Sequence, residues 1–208
     1  MVGRTTEQYI QAGVAAFHLE DQVVNKRCGH LKNKVLVEED VYLSRIRAAV
    51  NSRAKVGRDI IIIARTDALQ TYGYDAAVSR LKSAIKVGAD VAFLEGITSK
   101  EQAKKVCEEL APTPVLLNMV DGGVTPHFTV AEAKEIGFKV IIFPGFALEP
   151  VYRSVSAAAK ELMETGDMVK TSTGASTMGP RELFMVCGLK EAIEFDIAAG
   201  GSMYKNGV

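Results

Sequence analysis

The 208 residues carry 25 Lys and Arg against 25 Asp and Glu, so no broad field is available to hold nucleic acid or an anionic membrane surface. No apolar run approaches the roughly 20 residues of a membrane span, and the N-terminus lacks the charged-then-apolar pattern of a secretory leader; the expectation is a soluble protein of the cytoplasm or mitochondrial matrix, not a secreted one. The three cysteines, Cys28, Cys107 and Cys187, are odd in number and widely spaced, which suits free thiols better than disulfides or a zinc cluster.

In chain order, Thr5 to Ala12 reads as the tail of a helix closed by Gly13, and Val14 to Leu19 as a buried strand ending on Glu20. After the polar stretch Asp21 to Asn33, a helix is expected over about Asp40 to Val56, then a strand within Asp59 to Asp67. Tyr74 to Val87 is helical and leads through Gly88 to a strand ending on Glu95. Ser99 to Leu110, with Thr98 or Ser99 as cap, precedes the strand Pro114 to Asn118. Thr129 with Glu132 forms a capping box ahead of Val130 to Ile136, and Gly137 leads to a last strand finishing at Pro144. Pro150 to Thr165 is helical, Lys170 to Gly179 is a Ser-, Thr- and Gly-rich loop, and Pro180 to Cys187 and Leu189 to Ala199 are short helices. Cys107, within a helical pattern, and Cys187, beside apolar residues, are expected to be packing residues. Alternation puts His18 on the opposite face to Phe17, against a helix layer or a neighbouring side chain.

Helix, glycine and apolar strand alternate with short links, which dictates a parallel α/β sheet with right-handed crossovers. No Gly-x-Gly-x-x-Gly follows any strand, which counts against a nucleotide-binding open sheet. Polar residues stand at the end of every strand, namely Glu20, Arg65 with Asp67, Glu95, Asn118, and Pro144 as the special residue of the fifth. A site assembled from many strand ends is the property of a (β/α)8 barrel, which typically takes about 250 residues and eight strands. The expectation is therefore an incomplete TIM-type barrel lacking about the first three strands. It is read as one domain over 1–208, with 166–208 as a C-terminal loop and helical arm that packs on the same fold or is exchanged between subunits.

The densest chemistry is in Glu20-Asp21-Gln22 and Lys26-Arg27-Cys28-Gly29-His30. A thiol beside Lys26, Arg27 and His30 is a candidate acid, base or nucleophile, because nearby positive charge favours its thiolate. A solvated loop with an incidental cysteine remains the alternative. Glu95 ends an apolar strand without an obvious structural job, whereas Thr66 and Asp67 could either cap the following loop or act in the site.

These residues resemble a known group. His18-Leu19-Glu20-Asp21-Gln22, Lys26-Arg27-Cys28-Gly29-His30, Ile63-Ala64-Arg65-Thr66-Asp67-Ala68, Gly88-Ala89-Asp90 through Glu95, Leu117-Asn118-Met119, Thr125-Pro126 and Phe143-Pro144 run in the order of the isocitrate lyase and phosphoenolpyruvate mutase superfamily. The chain is most similar to its methylisocitrate lyase and dimethylmalate lyase branch. The resemblance implies a Mg²⁺-dependent enzyme, with Mn²⁺ as substitute, that breaks a carbon-carbon bond in a 2-hydroxy di- or tricarboxylate. The products would be an α-keto acid and a carboxylic acid. Cys28 would protonate the enolate, with Lys26, Arg27 and His30 tuning it and ordering its loop. Glu20 would hold the metal through water. Arg65 would hold the keto acid, Glu95 would hydrogen-bond within the site, and Asn118 would bind a carboxylate. Gly29, Thr125, Pro144 and, in Pro180-Arg181-Glu182-Leu183-Phe184, Arg181 complete the substrate-binding set.

Two family features are absent. The Asp-x-Asp-Thr-Gly-Tyr-Gly segment that supplies the principal metal carboxylates and the early Ser-Gly-Gly loop do not occur, which matches the missing strands and leaves direct Mg²⁺ ligation without its main donors. Glu149 falls near where methylisocitrate lyases carry an arginine, which disfavours a tricarboxylic substrate. An unclosed barrel would expose strand edges and favour self-association as a dimer or tetramer. The competing readings are a hydrolase of the oxaloacetate acetylhydrolase type and an inactive truncated member. A phosphonomutase is disfavoured because that branch carries Asn and Ser where this chain has Cys28 and Gly29.

Overall fold

The computed structural model describes residues 1–167 and 179–204. Its elements are α1 Val2–Gln11, β1 Ala16–Glu20, α2 Glu39–Val56, β2 Ile61–Thr66, α3 Ala68–Tyr72, α4 Tyr74–Lys86, β3 Val91–Leu94, α5 Lys100–Leu110, β4 Val115–Asn118, α6 Val130–Ile136, β5 Val140–Ile142, α7 Leu148–Thr165, α8 Pro180–Val186 and α9 Leu189–Ala198. They fall into two compact units, Met1–Gly145 and Phe146–Val208.

In the first unit the strands form one sheet in the order β1-β2-β3-β4-β5, every pair parallel. The sheet curls into part of a barrel, as the alternating pattern predicts. One side carries the main core: Ile62, Ala64, Ala92, Leu94, Val115 and Leu117 from the strands pack against Tyr42, Ile46, Leu81 and Val106 from the helices. Full burial of the Val, Leu and Ile side chains among them contributes about 1.5–3 kcal/mol each. The concave side carries a smaller cluster, Ile63, Val91, Phe93 and Leu116, with Ile142 against it. Period-two alternation assigns the residues between two faces, and Ile61 and Val140 on the concave side stay 46% and 37% exposed.

His18 lies opposite Phe17 and meets a neighbouring side chain rather than the helix layer: on the concave face its ring is edge-on to Phe93 at 5.3 Å. Phe17 is the residue that packs with the helix layer. Alternation separates the two faces but does not say which one the helices cover. Burial, followed by the charge of Arg65, holds the His18 imidazole below its ordinary pKa.

Helix ends follow local chemistry. Ser99 accepts from the Gln102 amide and caps α5, and Thr129 and Glu132 close the capping box of α6. Helix α3 is not legible from periodicity, since five residues are shorter than the pattern that reveals a helix. Helix α7 starts two residues before Pro150, which is tolerated in the first turn because the missing N–H has no intrahelical partner there. Cys107 is buried, and burial pushes its thiol up to about 11.

The second unit has no buried residue in α7, α8 or α9. Cys187, expected to be a packing residue, is exposed at the C-cap of α8, because no helix of this unit has a buried face to receive it. Phe184, Val186, Phe195 and Ile197 are also exposed. The Ser-, Thr- and Gly-rich stretch over 170–178 lies outside the described residues.

Candidate active site

Strand register builds the site. Glu20 pairs with Arg65 and Arg65 with Phe93; Phe93 pairs with Leu116. Two residues further on, Glu95 and Asn118 lie on the same face as Phe93 and Leu116. The C-terminal rim of the sheet thus presents Glu20, Arg65, Glu95 and Asn118 in a row.

Arg65 is the hub. Its Nε and Nη2 donate to Asp67 Oδ2 at 2.9 Å and Oδ1 at 3.1 Å. Nη2 also lies 3.0 Å from Glu95 Oε2 and Nε 3.4 Å from Glu20 Oε2. The guanidinium carbon sits 4.9 Å from the centre of the Phe93 ring. Asn118 Nδ2 donates to Glu95 Oε2 at 3.2 Å, while Asn118 Oδ1 is buried without a partner. Asp67 is fully buried and Glu95 1% exposed, so these charges depend on one another for solvation.

The electrostatics follow from that packing. Burial, the largest influence, raises the Glu20 carboxyl above its ordinary pKa, and the nearby charges of Arg65 and Lys26 only partly offset it. For Asp67 burial pushes the same way but loses to the Arg65 hydrogen bonds and charge, assisted by Lys34, so its pKa is lowered. Burial of Arg65 is likewise outweighed by Asp67, Glu95 and Glu20, which raise it further.

Beneath the rim, Asp21 is a structural acid. It accepts from Thr66 Oγ1 at 2.6 Å, from the Asp67 amide at 2.9 Å and from Arg80 Nε at 2.9 Å. Asp67 makes no side-chain cap to α3, whereas Thr66 Oγ1 accepts from the Ala68 amide at 3.2 Å. The side-chain contact to the start of α3 is thus made by Thr66, while Asp67 turns to Arg65.

The Cys28 loop closes above this network. Gln22 and Leu36 form an antiparallel bridge at its stem, and the Gln22 side chain holds both the N–H and the carbonyl of Arg27. A Cβ added to Gly29 would lie 2.5 Å from Arg65 Nη2 and 2.5 Å from Glu95 Cγ, so only glycine lets the loop backbone approach so closely. His30 Nδ1 accepts from the Val124 amide at 3.2 Å. An accepting Nδ1 leaves the ring hydrogen on Nε2, which lies 3.4 Å from Glu95 Oε1. That contact is not a hydrogen bond, so Nε2 is close to the acid yet without a hydrogen-bond partner.

The basic residues flanking Cys28 do not gather around its thiol. Lys26 reaches Glu20 at 3.4 Å, Arg27 Nη1 donates to the Lys32 carbonyl at 3.1 Å, and His30 turns to Val124. Cys28 is exposed, and its Sγ makes no hydrogen bond among the described residues. Neighbours in sequence diverge here because each has a nearer partner of its own.

Thr125 is buried in the loop after β4, and Pro144 is exposed after β5. Neither joins the Arg65 network through a hydrogen bond. Arg181 lies in α8 of the second unit, lining a cavity of about 240 Å³ with Met185, Leu189, Ile193 and Tyr204. Glu149 pairs with Arg153 one turn along α7. Sequence reasoning missed Lys34, whose Nζ donates to the Gly29 carbonyl at 2.5 Å and lies 3.4 Å from Asp67 Oδ1.

Among the described residues no three His, Cys, Asp or Glu side chains converge to hold a metal ion. Glu20, Asp67 and Glu95 are each already met by a cation. The donors present do not by themselves make a Mg²⁺ site.

No helix among the described residues is long and apolar enough to cross a membrane. A 2-methylisocitrate lyase from Aeropyrum pernix is 38% identical over 165 residues, 79% of this chain and 52% of that protein; the chain spans about half the length of the curated relatives it matches. A solved 2,3-dimethylmalate lyase, described as a PEP mutase/isocitrate lyase superfamily member, superposes with a TM-score of 0.94 at 53% identity, covering 100% of this chain and 68% of that one. Oxaloacetate acetylhydrolase in complex with the inhibitor 3,3-difluorooxalacetate superposes with a TM-score of 0.90 at 46% identity, covering 98% and 67%. The sequence model of phosphoenolpyruvate phosphomutase matches residues 1–163, and the chain belongs to that family, within the superfamily that also holds the isocitrate lyases.

Proposed function

We propose that the protein is a carbon-carbon lyase acting on a 2-hydroxy di- or tricarboxylate of the substituted malate or methylisocitrate type. One observation carries this reading: Arg65, Glu95 and Asn118 converge at the strand ends directly beneath Gly29, the neighbour of Cys28. Arg65 Nη1 makes no hydrogen bond among the described residues and is the guanidinium edge left for a carboxylate. The orphaned Asn118 Oδ1 is an acceptor for the substrate hydroxyl. The hydroxyl proton passes to water, and the carbonyl of the keto acid forms as the bond to the adjacent carbon breaks. The electron pair passes into the second carboxylate as an enolate. Cys28 protonates that carbon, and the resulting thiolate recovers the proton lost from the hydroxyl.

Within the network carboxylates offset cations, so a multiply charged substrate needs further positive charge. That need supports a requirement for Mg²⁺ or Mn²⁺ as a source of positive charge; Glu20 would meet such an ion through water, and no residue of this chain is assigned as a direct ligand. The exposed apolar side chains of α8 and α9 support assembly as a dimer or tetramer.

A hydrolase of the oxaloacetate acetylhydrolase type is the second reading, favoured by the likeness to that enzyme at 46% identity. Incubation of the purified protein and Mg²⁺ with 2,3-dimethylmalate, methylisocitrate and oxaloacetate separates the two. Pyruvate from either of the first two supports the lyase. Oxalate and acetate from oxaloacetate alone would replace it with the hydrolase, and silence with all three would favour an inactive member.

A further inference from the structure

Lys34 is the buried exception in a polar, exposed stretch. Leu31, Lys32, Asn33 and Val35 around it face solvent, while its own side chain is 1% exposed. Burying an amine is costly unless it is paired, and Lys34 has two partners. Its Nζ donates to the Gly29 carbonyl at 2.5 Å and lies 3.4 Å from Asp67 Oδ1. The first partner is the residue after Cys28. The second is the acid that grips Arg65 through two hydrogen bonds.

A cavity of about 290 Å³ lies against this contact, lined by Gly29, Lys34, Leu69, Tyr74, Gly96 and Val124 among others. The loop is thus not filled in by side chains on that side, and the Lys34 contact adds to the ties made by Gln22 to Arg27 and by the Val124 amide to His30. We propose that Lys34 is a positioning residue. It fixes the Cys28-Gly29 segment over Arg65 and Glu95 by tying the loop carbonyl to Asp67, so that loop and guanidinium keep one geometry. Its effect on turnover rests on the lyase reading; the tie itself is measurable without substrate.

The test compares the wild-type protein with Lys34→Met, Asp67→Asn and the double variant by amide hydrogen exchange. The Leu31 amide, bonded to the Cys28 carbonyl at 2.9 Å, reports on the loop, and the β3 amides report on the fold. Lys34→Met is expected to speed exchange at Leu31 by about tenfold or more while β3 is unchanged. The double variant should exchange no faster at Leu31 than the faster single one, because both substitutions break the same tie. With an active substrate kcat should fall by about 10²-fold, as misplaced catalytic groups do, with KM within about threefold. Lys34→Gln, which keeps a donor for the carbonyl, should lie between wild type and Met and stands in should Lys34→Met fail to fold. Unchanged exchange at Leu31, or acceleration spread equally over β3, would overturn the proposal. Fast loop exchange in a protein silent towards every substrate would leave the tie standing and sink the lyase.

Discussion

Arg65 and Asp67, two residues apart, are joined by paired hydrogen bonds of 2.9 and 3.1 Å, which lock the guanidinium plane before any substrate arrives. A planar fork with two bonds on one acid loses rotational freedom, so its remaining edge is preset. The cost is a buried acid that depends on its cation.

Removing that cation should therefore destabilise the fold as well as the site. Arg65→Met leaves Asp67 and Glu95, 0% and 1% exposed, without their main partner. The expected loss is about 3–5 kcal/mol, the usual effect of stripping one member from a buried pair. Urea unfolding at neutral pH measures it. Arg65→Lys should cost less, since a charge remains, yet still impair turnover because an ammonium cannot reproduce the fork. A Met variant as stable as wild type would show that the network is solvated.

The strand positions and their polar ends are legible in the sequence because the strands read as apolar runs, continuous where β3 and β4 are buried along their whole length. Glu20, Arg65, Glu95 and Asn118 meet on one face for the same reason. The register of a parallel sheet converts strand ends into neighbours. The role of Lys34 is hidden, since a lysine among Lys32, Asn33 and Val35 looks solvated until Gly29 and Asp67 are brought to it. Proximity in sequence also overstates contact, as Lys26 and Arg27 illustrate: a loop lets adjacent side chains diverge, whereas a strand fixes their alternation.

Acid titration should separate Glu20 from Asp67. The Asp67 pKa is lowered from its ordinary 3.8, so its contribution to stability is present above that value and lost as pH falls through the lower folded value. The Glu20 pKa is raised from 4.5, so its ionisation works against the fold once pH rises past the folded value. Glu20→Gln should thus be at least as stable as wild type at pH 7, with the advantage gone by about pH 4. Urea midpoints at the two pH values check this. A Gln variant weaker at pH 7 would mean that its pairing with Lys26 and Arg65 outweighs burial.

Cys28 is exposed and forms no side-chain hydrogen bond among the described residues, so Cys28→Ser should leave thermal unfolding unchanged. If it is the proton donor, turnover should drop by about 10²–10⁴-fold, the usual range for positioned proton transfer. Activity within about threefold of wild type would remove the thiol from the mechanism.

Gly29→Ala tests the close approach rather than the thiol. The added methyl would meet Arg65 Nη2 and Glu95 Cγ at 2.5 Å, well inside contact distance, so either the loop lifts or the network shifts. Arg65 is held by Asp67 and stacked on Phe93, and Glu95 is held by Asn118. The exposed loop is the softer partner and should be the one to move. The expected signature is a loss of turnover of about tenfold to 10²-fold, with urea stability close to wild type and faster exchange at the Leu31 amide. A large loss of stability with an unaltered loop would mean the opposite: the loop is rigid and the rim residues give way.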